Sequence, residues 1–203
     1  MVKIMKLEQG NIRKVLAEAK KIINERGVIL YPTDTVYGLG GDATDPGVVE
    51  RIRFIKGREE HRPFSAIFSD INMIEQYCEV DFWCEVVLKK YLPGPHTFIL
   101  RMSRPMPVST DLTLGVRIPE FDFCNRLSEE VGKPIVSTSA NKSGQEPPKT
   151  FAEVDPEILK AVDLAIDGGP TRNLGPSDVV DLVNKKIVRK GVGTIDINEL
   201  LGI

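Results

Sequence analysis

Histidine and cysteine are scarce in this chain of 203 residues, which has two of the first and three of the second. His61 and His96 form no metal constellation, and Cys78, Cys84 and Cys124 lack zinc-ligand spacing, so no metal centre built on these side chains is expected. An odd number of cysteines without such spacing suits a reducing compartment and predicts inert, part-buried thiols. Aromatic residues make up 6%, with a single tryptophan, which offers no stacking platform for bases. An excess of either charge is also missing: 27 Lys plus Arg stand against 29 Asp plus Glu, a formal charge of −2. Nothing global then points to nucleic acid or an anionic membrane, and only a local basic patch could. No apolar run approaches the ~18 to 20 residues of a membrane span, and no secretory segment opens the chain. The expectation is a soluble cytoplasmic protein with no membrane contact, folded as one domain over residues 1–203 around a core supplied by its 41% hydrophobic residues.

What is there gathers around Tyr31 to Ala43, which reads Y-P-T-D-T-V-Y-G-L-G-G-D-A. The apolar run Val28 to Tyr31 predicts a buried strand, and Pro32 ends its pairing. Gly38, Gly40 and Gly41 would let backbone approach a ligand, while Thr33, Thr35 and Tyr37 supply hydrogen-bonding groups, so Thr33 to Gly41 reads as a binding loop.

Before it, Asn11 is a candidate cap for a helix whose apolar positions Ile12, Val15, Leu16, Ala19, Ile22 and Ile23 fall on one face, with Gly27 at its stop. After it, Asp45 and Pro46 open a helix that ends near Lys56-Gly57-Arg58. Further strands are predicted at Phe64 to Phe68, Thr97 to Met102, Leu114 to Ile118, Pro134 to Thr138 and Asp163 to Ile166. Asp178 to Val183 and Lys186 to Lys190 complete them, joined as a hairpin at Asn184-Lys185. Helices are predicted from Asp70 to Tyr77, Asp81 to Tyr91 and Phe123 to Val131. The alternation argues for an α/β or α+β fold with a twisted mixed sheet, surrounding helices and functional loops at strand ends.

Three loops concentrate groups suited to a phosphate-bearing ligand: Thr33 to Gly41, Lys56 to Arg58, and Ser137 to Ser143. Thr113 and Arg117 add a fourth pair. The usual nucleotide fingerprints are absent, since Gly38-Leu39-Gly40-Gly41 continues into no dinucleotide motif and no glycine loop ends in Gly-Lys-Ser/Thr. Each feature also has a structural reading. Lys56 and Arg58 could be solvated helix-end charges, and Ser139 and Asn141 could form turns. Arg117, between Val116 and Ile118, requires an anion, which a structural carboxylate would also satisfy. These residues alone leave two classes open, a phosphate-ligand enzyme and an RNA binder.

In combination, Y-P-T-D-T-V-Y-G-L-G, K-G-R, Y-L-P-G-P-x-T, G-V-R-I-P and S-T-S-A-N-x-S-G closely resemble the YrdC family over about residues 10 to 195. The resemblance is to the short, single-domain form, with no second C-terminal domain expected. It implies a fold like dihydroxybutanone-phosphate synthase, with a concave, positively lined cavity. It also implies a threonylcarbamoyl-AMP synthase, a nucleotidyltransferase that joins L-threonine, bicarbonate or CO₂ and ATP, and releases pyrophosphate. The product would pass to a separate tRNA threonylcarbamoyltransferase complex that modifies adenosine beside the anticodon.

Carried over by motif, Lys56, Arg58, Ser139 and Asn141 are the expected catalytic residues, acting on the triphosphate and carbamate, with Mg²⁺ accompanying ATP. Thr113 and Arg189 are expected at the nucleotide, and Thr33, Thr35, Arg117 and Ser137 at threonine, with Arg117 on its carboxylate. Lys142 to Lys149, or Gly168 to Pro176, is the expected lid. Two departures stand out: Glu59-Glu60-His61-Arg62 intervene before Pro63 where the family usually continues directly with proline, and Ser137 and Thr138 replace smaller or apolar residues. The alternatives are an RNA-binding module, for double-stranded RNA or tRNA, and the carbamoyl-adenylate-forming domain of hydrogenase-maturation proteins, whose extra zinc-finger segments this chain lacks.

Overall fold

The structure, a computed structural model, describes residues 2–59, 62–195 and 200. In chain order it contains β1 (Lys3–Lys6), α1 (Ile12–Asn24), β2 (Ile29–Tyr31), β3 (Gly38–Gly40), α2 (Pro46–Lys56) and β4 (Ser65–Ile67). Then come α3 (Ile71–Glu75), α4 (Phe82–Tyr91), β5 (His96–Arg101), β6 (Thr113–Arg117), α5 (Asp122–Val131) and β7 (Ile135–Ser139). A single 3-10 turn, Phe151–Glu153, precedes α6 (Pro156–Ala161), β8 (Leu164–Asp167), β9 (Asp178–Asp181) and β10 (Lys186–Arg189).

The strands form one mixed sheet in the order β1-β8-β2-β3-β7-β4-β6-β5-β9-β10. Period-two alternation gives this sheet two faces. Ile29 and Tyr31 of β2, Ile67 of β4 and Ile135 of β7 pack with Val15, Leu16 and Ile23 of α1 and Phe123 and Leu127 of α5. Their neighbours Leu30, Ala66 and Val136, with Val116 and Phe98, point into the other layer, built on Val49, Ile52 and Ile55 of α2 and Leu88 of α4. Helices α1 and α5 pack on each other and cover their face only in part. The same face continues through Ser65, Ser137, Ser139, Thr113, Gly115, Arg117, Thr97 and Ile99, where it floors a cavity.

Local signals in the sequence account for most element ends. Asp45 accepts from Gly47 N–H and Val48 N–H with Pro46 first in the helix, Asp70 accepts from Met73 N–H, and Asp81 accepts from Cys84 N–H. Three expectations require correction. Asn11 does not cap α1 through its side chain; its Oδ1 accepts from Glu8 N–H and its Nδ2 donates to Lys6 O. The left-handed residue closing that helix is Arg26, at φ 64°, one position before the expected Gly27. Gly38 to Gly40 are not loop but strand, paired antiparallel with β2 in the register Ile29↔Gly40 and Tyr31↔Gly38. Glycine is needed there because the Tyr31 ring crosses the strand, and a Cβ on Gly40 would stand 2.6 Å from its Cε1. Strand β1 and helix α6 add to the predicted elements. All three cysteines are buried and free, so they are more deeply covered than expected.

Gly57, at φ 57° and ψ 42°, turns the chain between Lys56 and Arg58. A Cβ there would meet nothing within 4 Å, so only the backbone preference of an L-residue opposes it. Gly57→Ala should therefore lower stability by about 1 kcal/mol, read as a shift in urea midpoint at unchanged slope.

Candidate active site

The cavity on the uncovered part of the sheet encloses about 570 Å³, within the usual range for ligand pockets. Arg58, Ser139, Asn141, Thr113, Arg189, Thr33, Thr35, Arg117 and Ser137 all line it, and Lys56 does not. Three of the lining residues are arginines and one, Glu146, is a carboxylate, so the wall carries an excess of positive charge.

At one end the Thr33 to Tyr37 turn is held by its own hydroxyls. Thr33 Oγ1 donates to Val36 O at 2.7 Å, accepts from Thr35 N–H at 3.1 Å and lies 2.9 Å from Thr35 Oγ1. This leaves Asp34 pointing inward, with its side chain fully buried, onto Arg117 at 2.8 Å. Arg117 Nη1 also donates to Thr35 Oγ1 at 3.2 Å, while its Nε is buried with no partner among the described residues. Asp34 Oδ2 is taken by Glu120 N–H at 3.2 Å. The structural carboxylate foreseen as an alternative for Arg117 thus exists, and the guanidinium keeps one donor, Nε–H, that none of the described residues takes.

At the other end Arg58 packs over the Phe64 ring at 4.9 Å and gives Nη2–H to Pro63 O at 2.8 Å. Its Nε is also buried, with no partner among the described residues. Burial lowers its pKa, with Arg62 and Arg53 adding repulsion, a setting that favours an arriving anion. Arg53, also 4.9 Å from the centre of that ring, donates Nη1–H to both Glu59 O and Arg62 O at 3.0 Å. Glu59 pairs with Arg62 at 3.2 Å; Glu60 and His61 lie outside the described residues.

Lys56 lies beneath Ser139 and Asn141. Only 2% exposed, its ammonium donates to Ser139 O, to Asn141 O at 2.7 Å and to Asn141 Oδ1 at 3.4 Å. Burial, then Arg58, pushes its pKa from 10.5 down to about 7, while three carbonyl oxygens facing three N–H groups favour the protonated form. Asn141 Nδ2 in turn holds Gln145 O at 2.6 Å and Lys142 O at 3.0 Å. Thr113 Oγ1 donates to Asp111 Oδ1 at 2.7 Å, and Arg189 gives Nε–H and Nη2–H to Ser177 O at 3.1 and 2.9 Å.

Both expected lid segments border the cavity: Gln145, Glu146 and Pro147 from one, Pro176 from the other. The second is tied to the threonine turn. Thr171 Oγ1 donates to Thr35 O at 2.8 Å, Asn173 N–H to Asp34 O at 2.9 Å, and Tyr37 Oη to Gly169 O at 2.7 Å. Burial raises the Tyr37 phenol to about 12, which keeps it a donor.

Asp34, Ser65, Thr97 and Ser177 belong to the site without having been singled out in the sequence. Ser65 and Thr97 carried a usable signal, since each alternates with core residues in its strand and so must face away from the core. Among the described residues no group of three His, Cys, Asp or Glu side chains is arranged to hold a metal ion, and no helix is long and apolar enough to cross a membrane.

Residues 21–191 match the Sua5/YciO/YrdC family, described as telomere recombination. A Methanocaldococcus jannaschii protein, provisionally named threonylcarbamoyl-AMP synthase, is 36% identical over 98% of this chain and 96% of its own. The uncharacterized protein YciO of Escherichia coli K12 is 34% identical over 90% of this chain and 92% of its own. The structure of Pyrococcus abyssi Sua5 complexed with L-threonine superposes with a TM-score of 0.87 at 30% identity, covering 100% of this chain. The chain spans 61% of the length of that structure.

Proposed function

From the premise that this chain belongs to the Sua5/YciO/YrdC family, we propose that it is a threonylcarbamoyl-AMP synthase using L-threonine, bicarbonate or CO₂ and ATP. The observation that carries the reading is the placement of two arginines with buried, unpartnered Nε atoms, Arg117 and Arg58, on one cavity. Each arginine lines the cavity and keeps one donor with no partner among the described residues, and the reaction brings together a carboxylate and a triphosphate. The named relatives support the choice, one by its synthase name and one by the L-threonine in its structure.

In this reading threonine lies between Thr33, Thr35 and Ser137 with its carboxylate on the Arg117 edge. Its amine adds to CO₂ and loses a proton, giving a carbamate. A carbamate oxygen then attacks the α-phosphorus of ATP as the bond to pyrophosphate breaks, so negative charge grows on phosphoryl oxygens. Arg58, Ser139 and Asn141 receive that charge, Lys56 adds its own from beneath, and Thr113 and Arg189 hold the nucleotide. Catalysis is positioning and charge stabilisation, and no side-chain nucleophile is needed. With Glu146 the carboxylate on the wall, Mg²⁺ enters on the phosphates as part of the ATP substrate. The product would be consumed by a tRNA-modifying transferase complex in the cytoplasm.

The test is pyrophosphate release from Mg-ATP with threonine and bicarbonate omitted in turn. Release that needs both, and falls at least ~100-fold in Arg58→Ala, is the expected result. Release indifferent to threonine, or a protein that binds RNA with steep salt dependence but never ATP, would overturn the assignment.

A further inference from the structure

His96 and Asp178 form a buried polar pair just behind the nucleotide end of the cavity. They are register partners on β5 and β9, about 5% exposed each, with His96 Nδ1 3.4 Å from Asp178 Oδ2. Neither lines the cavity, whereas their chain neighbours Thr97 and Ser177 both do, and those two hydroxyls lie 2.8 Å apart. The other carboxylate oxygen, Asp178 Oδ1, accepts from Gly191 N–H at 2.6 Å, and Val192 N–H donates to Pro176 O at 2.9 Å. The chain leaving β10 is thereby drawn back across the pair as a strap.

Glycine makes that approach feasible. A Cβ on Gly193 would stand 2.2 Å from Asp178 Oδ2 and 2.5 Å from His96 Nδ1, and one on Gly191 would stand 2.1 Å from Pro176 O. Arg189 lies two residues before the strap, at the register shift in β10, with its guanidinium on Ser177 O and Ser177 Oγ. A buried carboxylate is unfavourable unless its hydrogen bonds hold something in place. This one holds the chain after Arg189, and it follows directly the residue that anchors the Arg189 head group.

We infer that Asp178 is a positioning residue for Arg189: by clamping the Gly191 to Gly193 strap it fixes where Arg189 presents its guanidinium to the nucleotide. The inference rests on the nucleotide reading of the cavity given above. Asparagine can make the same clamp, with its amide oxygen accepting from Gly191 and its NH₂ donating to His96 Nδ1, which has no hydrogen-bond partner among the described residues. Alanine cannot.

The experiment measures steady-state pyrophosphate release by Asp178→Ala, Asp178→Asn and Gly193→Ala, varying ATP and threonine separately. The ATP KM should rise about tenfold or more in Asp178→Ala and Gly193→Ala, with threonine KM within about twofold of wild type and kcat retained at saturating ATP. Asp178→Asn should behave as wild type. If Asp178→Ala does not fold, Gly193→Ala, which keeps the carboxylate and displaces the strap, decides the matter. An unchanged ATP KM, an equal rise in both KM values, or an asparagine variant as impaired as alanine overturns the positioning role while leaving the synthase reading intact. A wild-type chain that does not bind ATP overturns both.

Discussion

Lys56→Met is expected to lose both stability and activity, although Lys56 is not on the cavity wall. Methionine fills a similar volume but donates nothing, so Ser139 O, Asn141 O and Asn141 Oδ1 would face apolar atoms in a site that is 2% exposed. An unmet buried acceptor costs about 1–3 kcal/mol; with partial relaxation of the loop, roughly 3 kcal/mol of stability should go. The same carbonyls belong to the residues placed at the reacting phosphate, and the Asn141 amide holds Gln145 on the cavity rim. Letting Ser139 and Asn141 drift by an ångström should lower kcat/KM about 100-fold or more. Urea unfolding gives the first quantity, and pyrophosphate release at a temperature where both proteins are folded gives the second. A variant with wild-type stability would show that the ammonium is not holding the loop, and one with wild-type turnover would remove Lys56 from the site altogether.

The case of Lys56 also shows what the sequence could express about this fold. Motif spacing grouped Lys56, Arg58, Ser139 and Asn141; in the structure Lys56 bonds to Ser139 and Asn141, and Arg58 lines the same cavity as those two. It did not record that Lys56 reaches Ser139 and Asn141 from below, through their carbonyl oxygens, since backbone acceptors have no letter in the sequence. The helix starts at Asp45, Asp70 and Asp81 were legible because the physics of capping is local. Gly38 to Gly40 read as loop because glycine's strand use depends on the Tyr31 ring lying across it, a contact made only after β2 and β3 pair. Strand β1, with three exposed residues of four, offered no alternation to find, and its pairing to β8 is long-range. Asp34 stood in full view between Thr33 and Thr35, but its role depends on Arg117, a distant partner in the chain.

That pair frames the second large expectation, for Arg117→Lys. Arg117 has to satisfy Asp34, whose side chain is fully buried, and Thr35 Oγ1, and still present Nε–H to a carboxylate. A planar guanidinium can point separate donors at all three; a lysine ammonium is a single point charge that must choose. Coulomb attraction to the buried Asp34 will decide the choice, since leaving that carboxylate unpaired is the costlier outcome. The lysine should therefore keep the fold and lose the ligand. Loss of a charge-assisted contact of about 2 kcal/mol corresponds to roughly a 30-fold rise in threonine KM, with the ATP KM unchanged because Arg58 and Arg189 are untouched. Removing the charge altogether, as in Arg117→Ala, should in addition destabilise the protein by about 3–5 kcal/mol by stranding Asp34. Asp34→Asn combined with Arg117→Met should recover most of that stability without restoring threonine use. If the lysine variant instead binds threonine as wild type does, the Nε edge is not the carboxylate site, and the anion that Arg117 awaits is already in the structure as Asp34.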